Sequence, residues 1–453
     1  MIKAKNVFIG FGKAAKTLAF QMAKKGESVV VIEQSDQMYG GTCINIACIP
    51  SKFLYELSSK PKLGSLKDNF HNAMMKKRGL IGKLRYSNFH KLSDLNDVKV
   101  LNGKASFIDK NTLKVNYKNG TSDTVEGERI FINTGATAFV PDIPGLKDSP
   151  RMVTSTEMLD LDNLPKELVI IGGGFIGMEF ATTFTNFGSH VTIIEKMPKF
   201  MGKSDPEVRE AVLDNFNEQG IDILENADVT KVVDQGTHSD VHVVIDGKEK
   251  VLPANTILVS IGRRPNVGGL DLEKAGVDYS PRGVKVDDHL KTNVDNIWAM
   301  GDVRGGAQFT FISLDDYRIV YNSIYGDAHK SLQEQDVVPH TVFLTPVLSE
   351  IGMTEEQAQA EHIHYRKAKV STMGMPKAHI LGHPKGFFKA LVGDDDRILG
   401  ATIYAPDAQE VINIISLAMH ANLPYQMLRD QIYAHPSMSE GLNSLFGAIE
   451  DLK

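Results

Sequence analysis

The 453-residue chain has only two cysteines, Cys43 and Cys48, and both lie in the stretch Gly40-Gly41-Thr42-Cys43-Ile44-Asn45-Ile46-Ala47-Cys48-Ile49-Pro50-Ser51-Lys52. Four residues separate the thiols. A disulfide needs Cα atoms about 4.4–6.8 Å apart. Residues i and i+5 of a regular helix rise about 7.5 Å and point in different directions, so a bridge here requires a distorted first turn. Pro50 suits that, because proline is tolerated at a helix start and disruptive further in. A thiol at a helix N-terminus also feels the positive end of the dipole, which favours the thiolate. A short, strained loop is typical of labile disulfides. The spacing therefore points to a redox-active dithiol, against the plainer reading of an inert bridge or two packed thiols.

A second reactive group stands near the end of the chain, in Tyr433-Ala434-His435-Pro436-Ser437-Met438-Ser439-Glu440. In one reading His435 is an acid/base group oriented by Glu440. In the other, Ser437 and Glu440 form a capping box at a helix start and the histidine is incidental. A metal site is not expected. His238 and His242 share one face of an extended segment but stand roughly 13 Å apart, with no third ligand near.

These groups need a scaffold, and the glycines supply its outline. Val7-Phe8-Ile9 reads as a buried strand running into Gly10-Phe11-Gly12-Lys13-Ala14-Ala15, a helical segment over 16–25, and a second strand closing on Glu33. Gly10 permits the tight turn, Gly12 lets backbone approach a pyrophosphate, and Ala15 allows helix to pack on strand. The helix N-terminus holds phosphates, and Glu33 accepts from a ribose hydroxyl. The pattern returns at Leu168-Val169-Ile170-Ile171, Gly172-Gly173-Gly174-Phe175-Ile176-Gly177, a helix ending near Gly188, and a strand closing on Glu195. In both copies the first glycine precedes the acid by 23 positions. Two matched turns predict two dinucleotide sites, and with one dithiol they suggest electrons passing from a nicotinamide, through a second cofactor, to sulfur.

Between the copies, residues 53–104 are helix-rich and basic near Lys76-Lys77-Arg78, read as a solvated helix face. Ile130-Phe131-Ile132-Asn133-Thr134-Gly135 is another strand entering a glycine turn. Asp246-Gly247 after Val241–Ile245 signals a hairpin. Asp302, at the end of Asn296-Ile297-Trp298-Ala299-Met300-Gly301, either accepts from a sugar hydroxyl or caps the next helix. From about Pro339 the pattern becomes α+β, with a long apolar helix over 408–420. At this length two or three domains are expected. The net charge of −6 gives no reason to bind nucleic acid or an anionic membrane. No stretch reaches the ~18 uninterrupted apolar residues of a membrane span. The N-terminus carries no signal segment, so the protein is expected in the cytoplasm, where a dithiol tends to be catalytic.

On these residues the chain resembles the flavin-dependent pyridine nucleotide–disulfide oxidoreductases, the class of lipoamide dehydrogenase, glutathione reductase and mercuric reductase. The matching segments are Gly10-x-Gly12-x-x-Ala15, Gly41-Thr42-Cys43-x4-Cys48-x-Pro50-Ser51-Lys52, Thr134-Gly135-Ala136, Gly172-x-Gly174-x-x-Gly177-x-Glu179, Gly262-Arg263-Arg264-Pro265-Asn266, Ala299-x-Gly301-Asp302 and His435-Pro436-Ser437-x-x-Glu440. The resemblance implies two Rossmann-like α/β domains with a C-terminal α+β dimerisation domain. FAD would lie on the first turn, with Asp302 on its ribityl chain, and NADH (NADPH as the alternative) on the second. The implied cofactor-binding set is Gly10, Gly12, Ala15, Glu33, Gly41, Thr42, Lys52, Ala105, Gly135, Gly172, Gly174, Gly177, Glu179, Glu195, Gly262 and Asp302. Cys48 would face the flavin, Cys43 would attack substrate, and Lys52 would pair with Glu179. His435 and Glu440 would serve the partner's site in a homodimer. The implied layout is FAD-binding at 1–148 and 276–335, nucleotide-binding at 149–275 and dimerisation at 336–453.

The departures narrow the substrate. The C-terminus lacks the cysteine pair of mercuric reductases. Gly441 follows Glu440, unlike the paired glutamates of glutathione-type enzymes. Tyr433 replaces the histidine usual in lipoamide dehydrogenases, and Ala47 the glycine usual before the second cysteine. Leu84-Arg85-x-x-Asn88-Phe89, Gln308–Asp316 and the tail into Leu442-Asn443-x-Leu445-Phe446 are similar to the RclA-type flavoproteins, which reduce hypothiocyanous acid. That small oxidant is the expected substrate. Lipoamide, or a metal ion such as Cu(II) or Hg(II), is the alternative, and a non-enzymatic redox sensor is a fourth reading.

Overall fold

Val7, Phe8 and Ile9 are buried along β1 (Ile2–Ile9) because the strand is covered on both faces, as parallel sheets require. The computed structural model describes residues 1–60, 64–335 and 337–450. They divide into two compact units, one of residues 1–141, 153–163 and 259–335, the other of 142–152, 164–258 and 336–453.

In the first unit, β1 leads into α1 (Lys13–Lys24) and then β2 (Val29–Glu33), which pairs parallel with it. α1 forms because Ala14, Ala15, Leu18, Ala19, Met22 and Ala23 recur at helical spacing, and all six are buried. Burying Leu18 and Met22 contributes about 1.5–3 kcal/mol each. The chain continues through α2 (Thr42–Ile46), α3 (Cys48–Ser58) and α4 (Leu66–Ser93) to β3 (Val98–Asn102), β4 (Lys104–Phe107), β5 (Thr112–Asn116) and β6 (Ser122–Ile132). The sheet order is β3-β2-β1-β6-β5-β4, with Ile297–Ala299 also paired to β6. β1, β2, β3, β6 and Ile297–Ala299 run parallel, so their C-terminal ends meet at one edge. Gly10, Glu33, Asn133 and Met300 follow there, at the place where open α/β sheets bind ligands.

The expected solvated basic face on α4 is corrected by Lys77. This side chain is buried and donates to the Leu159 carbonyl and to Asp160, while Arg78 pairs with Asp160 and Asp162. A lysine can be buried at that depth because its charge is paired.

In the second unit, Glu167–Ile171, His190–Ile194 and Ile221–Leu224 form a parallel core with helix Phe175–Phe187 between the first two. The hairpin expected at Asp246-Gly247 is present: both residues have positive φ between strands Ser239–Ile245 and Lys248–Ala254. The C-terminal part is a five-stranded antiparallel sheet covered by helix Ala408–His420, whose Ala408, Val411, Ile412, Ile415 and Ala418 are buried. The helix expected just after Pro436 instead starts at Gly441. Ser437 does accept the Glu440 N–H at 3.3 Å. The Glu440 carboxylate is engaged by His435, so the reciprocal half of a capping box is missing.

Candidate active site

α2 and α3 form a helix interrupted between the two thiols. Cys43 lies in α2, Ala47 breaks the helical path at φ −145°, ψ −110°, and Cys48 opens α3. The distortion needed for a bridge therefore falls between the cysteines, and Pro50 occupies the first turn of α3, where no N–H is missed. Both cysteines are thiols in this structure. The Cys43 thiol is pushed well above its ordinary value, first by the hydrogen bond it shares with Cys48, then by burial and by the charge of Cys48; Thr310 and Lys16 act the other way. The two sulfurs are close enough that they cannot cheaply both ionise. Cys48 Sγ also lies 3.5 Å from Thr310 Oγ1, at the start of helix Thr310–Tyr325.

The cysteine segment is pressed onto the first glycine turn. Gly41 has φ +83°, and a methyl group there would come 2.8 Å from Gly12 Cα. Beside it, a methyl on Gly135 would lie 3.9 Å from the Thr42 hydroxyl. A methyl on Gly10, at φ +101°, would strike the Asn133 carbonyl at 2.4 Å. Ala15 is fully buried and its N–H donates to Asn133 Oδ1 at 3.2 Å. Glu33 is buried and accepts from the N–H groups of Phe11 at 3.0 Å and Ser35 at 3.2 Å; burial pushes its carboxyl up and these donors restrain it. This bare backbone at a helix N-terminus, ending in a buried acid, fits the pyrophosphate and ribose of a dinucleotide.

Asp302 lies in a single turn, Gly301–Arg304, well before helix Thr310–Tyr325, whose N-cap is Phe309, so its capping alternative is set aside. Burial pushes its carboxyl up and nearby Arg263 holds it back. Gly262, at φ +123°, precedes Arg263. Lys52 lies in α3, and Ala105 is buried in β4 with only its backbone to offer.

In the second unit, Gly172 has φ +104° and Gly174 caps helix Phe175–Phe187 without a side chain. Gly177 is buried in that helix, and Glu179 accepts from the Phe343 N–H at 3.2 Å. Glu195 accepts from Gly173 N–H at 3.0 Å and Met197 N–H at 2.8 Å. His435 Nδ1 lies 2.8 Å from Glu440 Oε2, and the imidazole is 70% exposed. His238 and His242 pair with Asp240 and Glu249. Among the described residues, no cluster of three His, Cys, Asp or Glu side chains is placed to hold a metal ion, and no helix is long and apolar enough to cross a membrane.

Several residues were not singled out from sequence. Asn133 joins Ala15 to the Met300 carbonyl, to which its Nδ2 donates at 2.6 Å. Ser313 accepts the Ala14 N–H at 3.3 Å, and the fully buried Asp316 accepts from Gly301 N–H at 2.7 Å and pairs with Arg304. Arg263 donates to the Ala136 carbonyl, and its charge acts on Asp302 and Cys48. The available signal was polarity out of place: Asn133 ends an apolar strand, and Asp316 sits inside a helix that buries its neighbours.

Comparison with known proteins agrees with this geometry. Residues 4–330 match the model of the pyridine nucleotide-disulphide oxidoreductases, and residues 338–446 match that family's dimerisation domain. The chain is 43% identical to a probable pyridine nucleotide-disulfide oxidoreductase, RclA, of Escherichia coli K12, over 99% of this chain and all of that one. It is 32% identical to mercuric reductase of Bacillus cereus, over 96% of this chain and 70% of that one. A solved structure, the Cu(II) complex of the HOCl-induced flavoprotein disulfide reductase RclA from E. coli, superposes with a TM-score of 0.95 at 42% identity, covering 99% of this chain and all of that one. The chain belongs to the pyridine nucleotide-disulphide oxidoreductase family, as an RclA-like flavoprotein disulfide reductase working with a flavin and a pyridine nucleotide.

Proposed function

We propose that the protein uses NADH and FAD to reduce hypothiocyanous acid to thiocyanate at the Cys43–Cys48 dithiol. The observation that carries this reading is the single pair of cysteines, hydrogen-bonded to each other at the edge of the first glycine turn. The scheme needs only two cysteines, which are all the chain has.

Gly10, Gly12, Ala15, Glu33, Gly41, Thr42, Lys52, Ala105, Gly135 and Asp302 would hold FAD. Gly172, Gly174, Gly177, Glu179 and Glu195 would hold NADH. The bound flavin supplies the two-electron link between nicotinamide and sulfur. Glu195 favours NADH because its carboxylate repels a 2′-phosphate. Of Lys196 and Lys199, which could partly offset that, Lys196 is paired with Asp228 at 3.0 Å.

The Cys43 thiol is pushed up by its hydrogen bond with Cys48 and by burial, so its attack requires a base. His435 suits this: Glu440 engages Nδ1 and leaves Nε2 for proton transfer. In the proposed homodimer it serves the partner's cysteines. The Cys43 thiolate attacks the sulfur of hypothiocyanous acid, forming an S–S bond and expelling hydroxide, which takes a proton to become water. Cys48 attacks the Cys43 sulfur and expels thiocyanate. The dithiol loses two electrons and two protons and becomes the disulfide. The four-segment domain layout expected from sequence and a cytoplasmic location go with this reading.

The test is oxidation of NADH by the purified protein with hypothiocyanous acid, lipoamide and Cu(II) at matched enzyme. Rapid turnover with hypothiocyanous acid alone is expected. Cys43→Ser and Cys48→Ser should each abolish it while the flavin absorbance persists, and turnover by either variant refutes the dithiol scheme. Cu(II) is included because the E. coli relative is described as a Cu(II) complex. Turnover with Cu(II) that survives both serine variants would favour that second reading.

A further inference from the structure

We propose that Lys16 is a positioning residue for the attacking thiol: its ammonium, held by Asn88 and the Gly40 carbonyl, presents a fixed positive charge to Cys43. Lys16 lies one turn into α1, and its N–H closes that turn on the Gly12 carbonyl at 3.0 Å. Its Nζ donates to Gly40 O at 3.0 Å and to Asn88 Oδ1 at 2.7 Å. The Asn88 amide is aimed by its own bond from Nδ2 to Leu84 O at 2.8 Å. Gly40 is packed on this residue, since a methyl there would come 3.2 Å from Asn88 Cγ. The carbonyl so gripped directly precedes Gly41-Thr42-Cys43.

A second set of bonds holds the same loop from the same helix. Arg85 Nε donates to Asn45 Oδ1 at 2.8 Å, and Asn45 Nδ2 donates to Tyr39 O at 3.0 Å and Gly41 O at 2.9 Å. Arg85 and Asn88 are the two polar residues of the segment Leu84-Arg85-x-x-Asn88-Phe89, which the reaction itself leaves unused. They brace the cysteine loop between α4 and α1.

The electrostatic link runs both ways. Burial holds the Lys16 ammonium down to about 8, Lys13 and Lys91 push the same way, and Cys43 pushes back. Around Cys43, the Cys48 thiol and burial oppose ionisation, while Thr310 and the Lys16 charge favour it. A lysine this enclosed loses side-chain freedom already in the resting protein, so at neutral pH, below the value of about 8, its charge is held beside the cysteine loop by Gly40 and Asn88, which is the condition for preorganised stabilisation.

This inference rests on Cys43 being the attacking thiol, and its test needs no oxidant. The reduced holoenzyme is treated with iodoacetamide from pH 6 to 9.5, and labelling of Cys43 is followed by mass spectrometry. Removing an adjacent opposite charge raises a pKa by about one unit, which is about tenfold less thiolate. Lys16→Met should therefore label about tenfold more slowly at pH 7, with its profile displaced to higher pH. Lys16→Arg should restore the wild-type rate at pH 7 and exceed it above pH 8, where Lys16 loses its charge and arginine does not; at pH 7 Asn88→Ala should fall between wild type and Lys16→Met. A wild-type labelling profile in Lys16→Met overturns the proposal, whatever its Tm. If that variant does not fold, an unchanged profile in Asn88→Ala overturns it instead. A protein that fails to reduce hypothiocyanous acid yet shows the displaced profiles would sink the substrate and leave Lys16 standing.

Discussion

At the first glycine turn a methyl group on Gly12 would come 2.3 Å from Asn133 Oδ1; at the second, a methyl group on Gly174 would meet nothing within 4 Å. Both turns follow a parallel strand, open a helix and end in an acid. The first is closed by its own chain: Asn133 and Ser313 bind helix N–H groups, and the cysteine loop lies on Gly12. Its acid, Glu33, is buried. The second has Gly173 where the first has the buried Phe11, and takes its neighbouring ring from Phe200, 2.7 Å from where a Gly173 methyl would stand. Phe175, the first residue of its helix, is exposed. A closed turn suits a cofactor that stays bound through every cycle; an open one suits a nucleotide that enters and leaves. In the proposed assignment one sequence pattern serves two kinds of binding, and the surroundings decide which.

The strongest way to break that contrast is to put the same methyl group in both turns. Gly12→Ala must displace Asn133, which holds both Ala15 and Met300. It should be isolated with little flavin and lose activity on the order of a hundredfold. Gly174→Ala should keep full flavin absorbance and show only a raised KM for NADH, the mark of weakened uniform binding. If Gly174→Ala also loses flavin, the two turns do not divide the work as proposed.

The acids sharpen the contrast on a smaller scale. Glu195 is tied to two backbone N–H groups and remains half-buried. Glu195→Gln keeps one acceptor oxygen and removes the charge. The kcat/KM for NADPH relative to NADH should then rise about tenfold, or about 1.4 kcal/mol, with no change in flavin content. An unchanged ratio would assign coenzyme choice to groups other than Glu195.

How far these features could be read from the residues depends on the range of the contact. The glycine turns and the hairpin are local: positive φ, a bare helix start and a two-residue loop are encoded within a few positions. The strands Phe387–Val392 and Ile398–Tyr404 and the helix Ala408–His420 lie where their apolar patterns put them. That Cys43 and Cys48 would lie close together was legible because only four residues separate them. Asn133, Lys16 and Lys77 were not, because each is explained by a partner brought near only by the fold. Lys77 looked solvated in sequence because Asp160, 83 positions away, gave no local sign of meeting it. The tail was legible in one of its two readings: His435 takes the Glu440 carboxylate, which leaves the capping box of the other reading half made.

The second unit also differs from the first in how it is anchored. Lys389 is 2% exposed within the apolar strand Phe387–Val392 and is surrounded by Asp205 at 2.8 Å, Glu207 at 2.6 Å and Glu355 at 2.8 Å. Asp205 also accepts the N–H groups of Glu355 and Glu356 at 3.2 and 3.1 Å, and it precedes helix Pro206–Glu218, so it fastens the segment after the open turn to the C-terminal sheet. An ammonium has three donors, and three carboxylates already surround this one. Glu350 is the fourth carboxyl nearby. Burial, then the charge of Asp205, pushes it up to about 7, against the pull of Lys389. His340 faces it across the strand pair and is held down by burial, so it adds little charge at neutral pH. As pH rises from the unfolded value of 4.5 to about 7, the unfolded chain loses the Glu350 proton while the folded chain keeps it. The unfolded state then binds fewer protons, and stability falls across that window. Glu350→Gln does not titrate. Its Tm should exceed that of the wild type by a few degrees at pH 8, and the gap should close below pH 5. An equal gap at both pH values would mean that Glu350 ionises freely and that the Lys389 cluster is open to water.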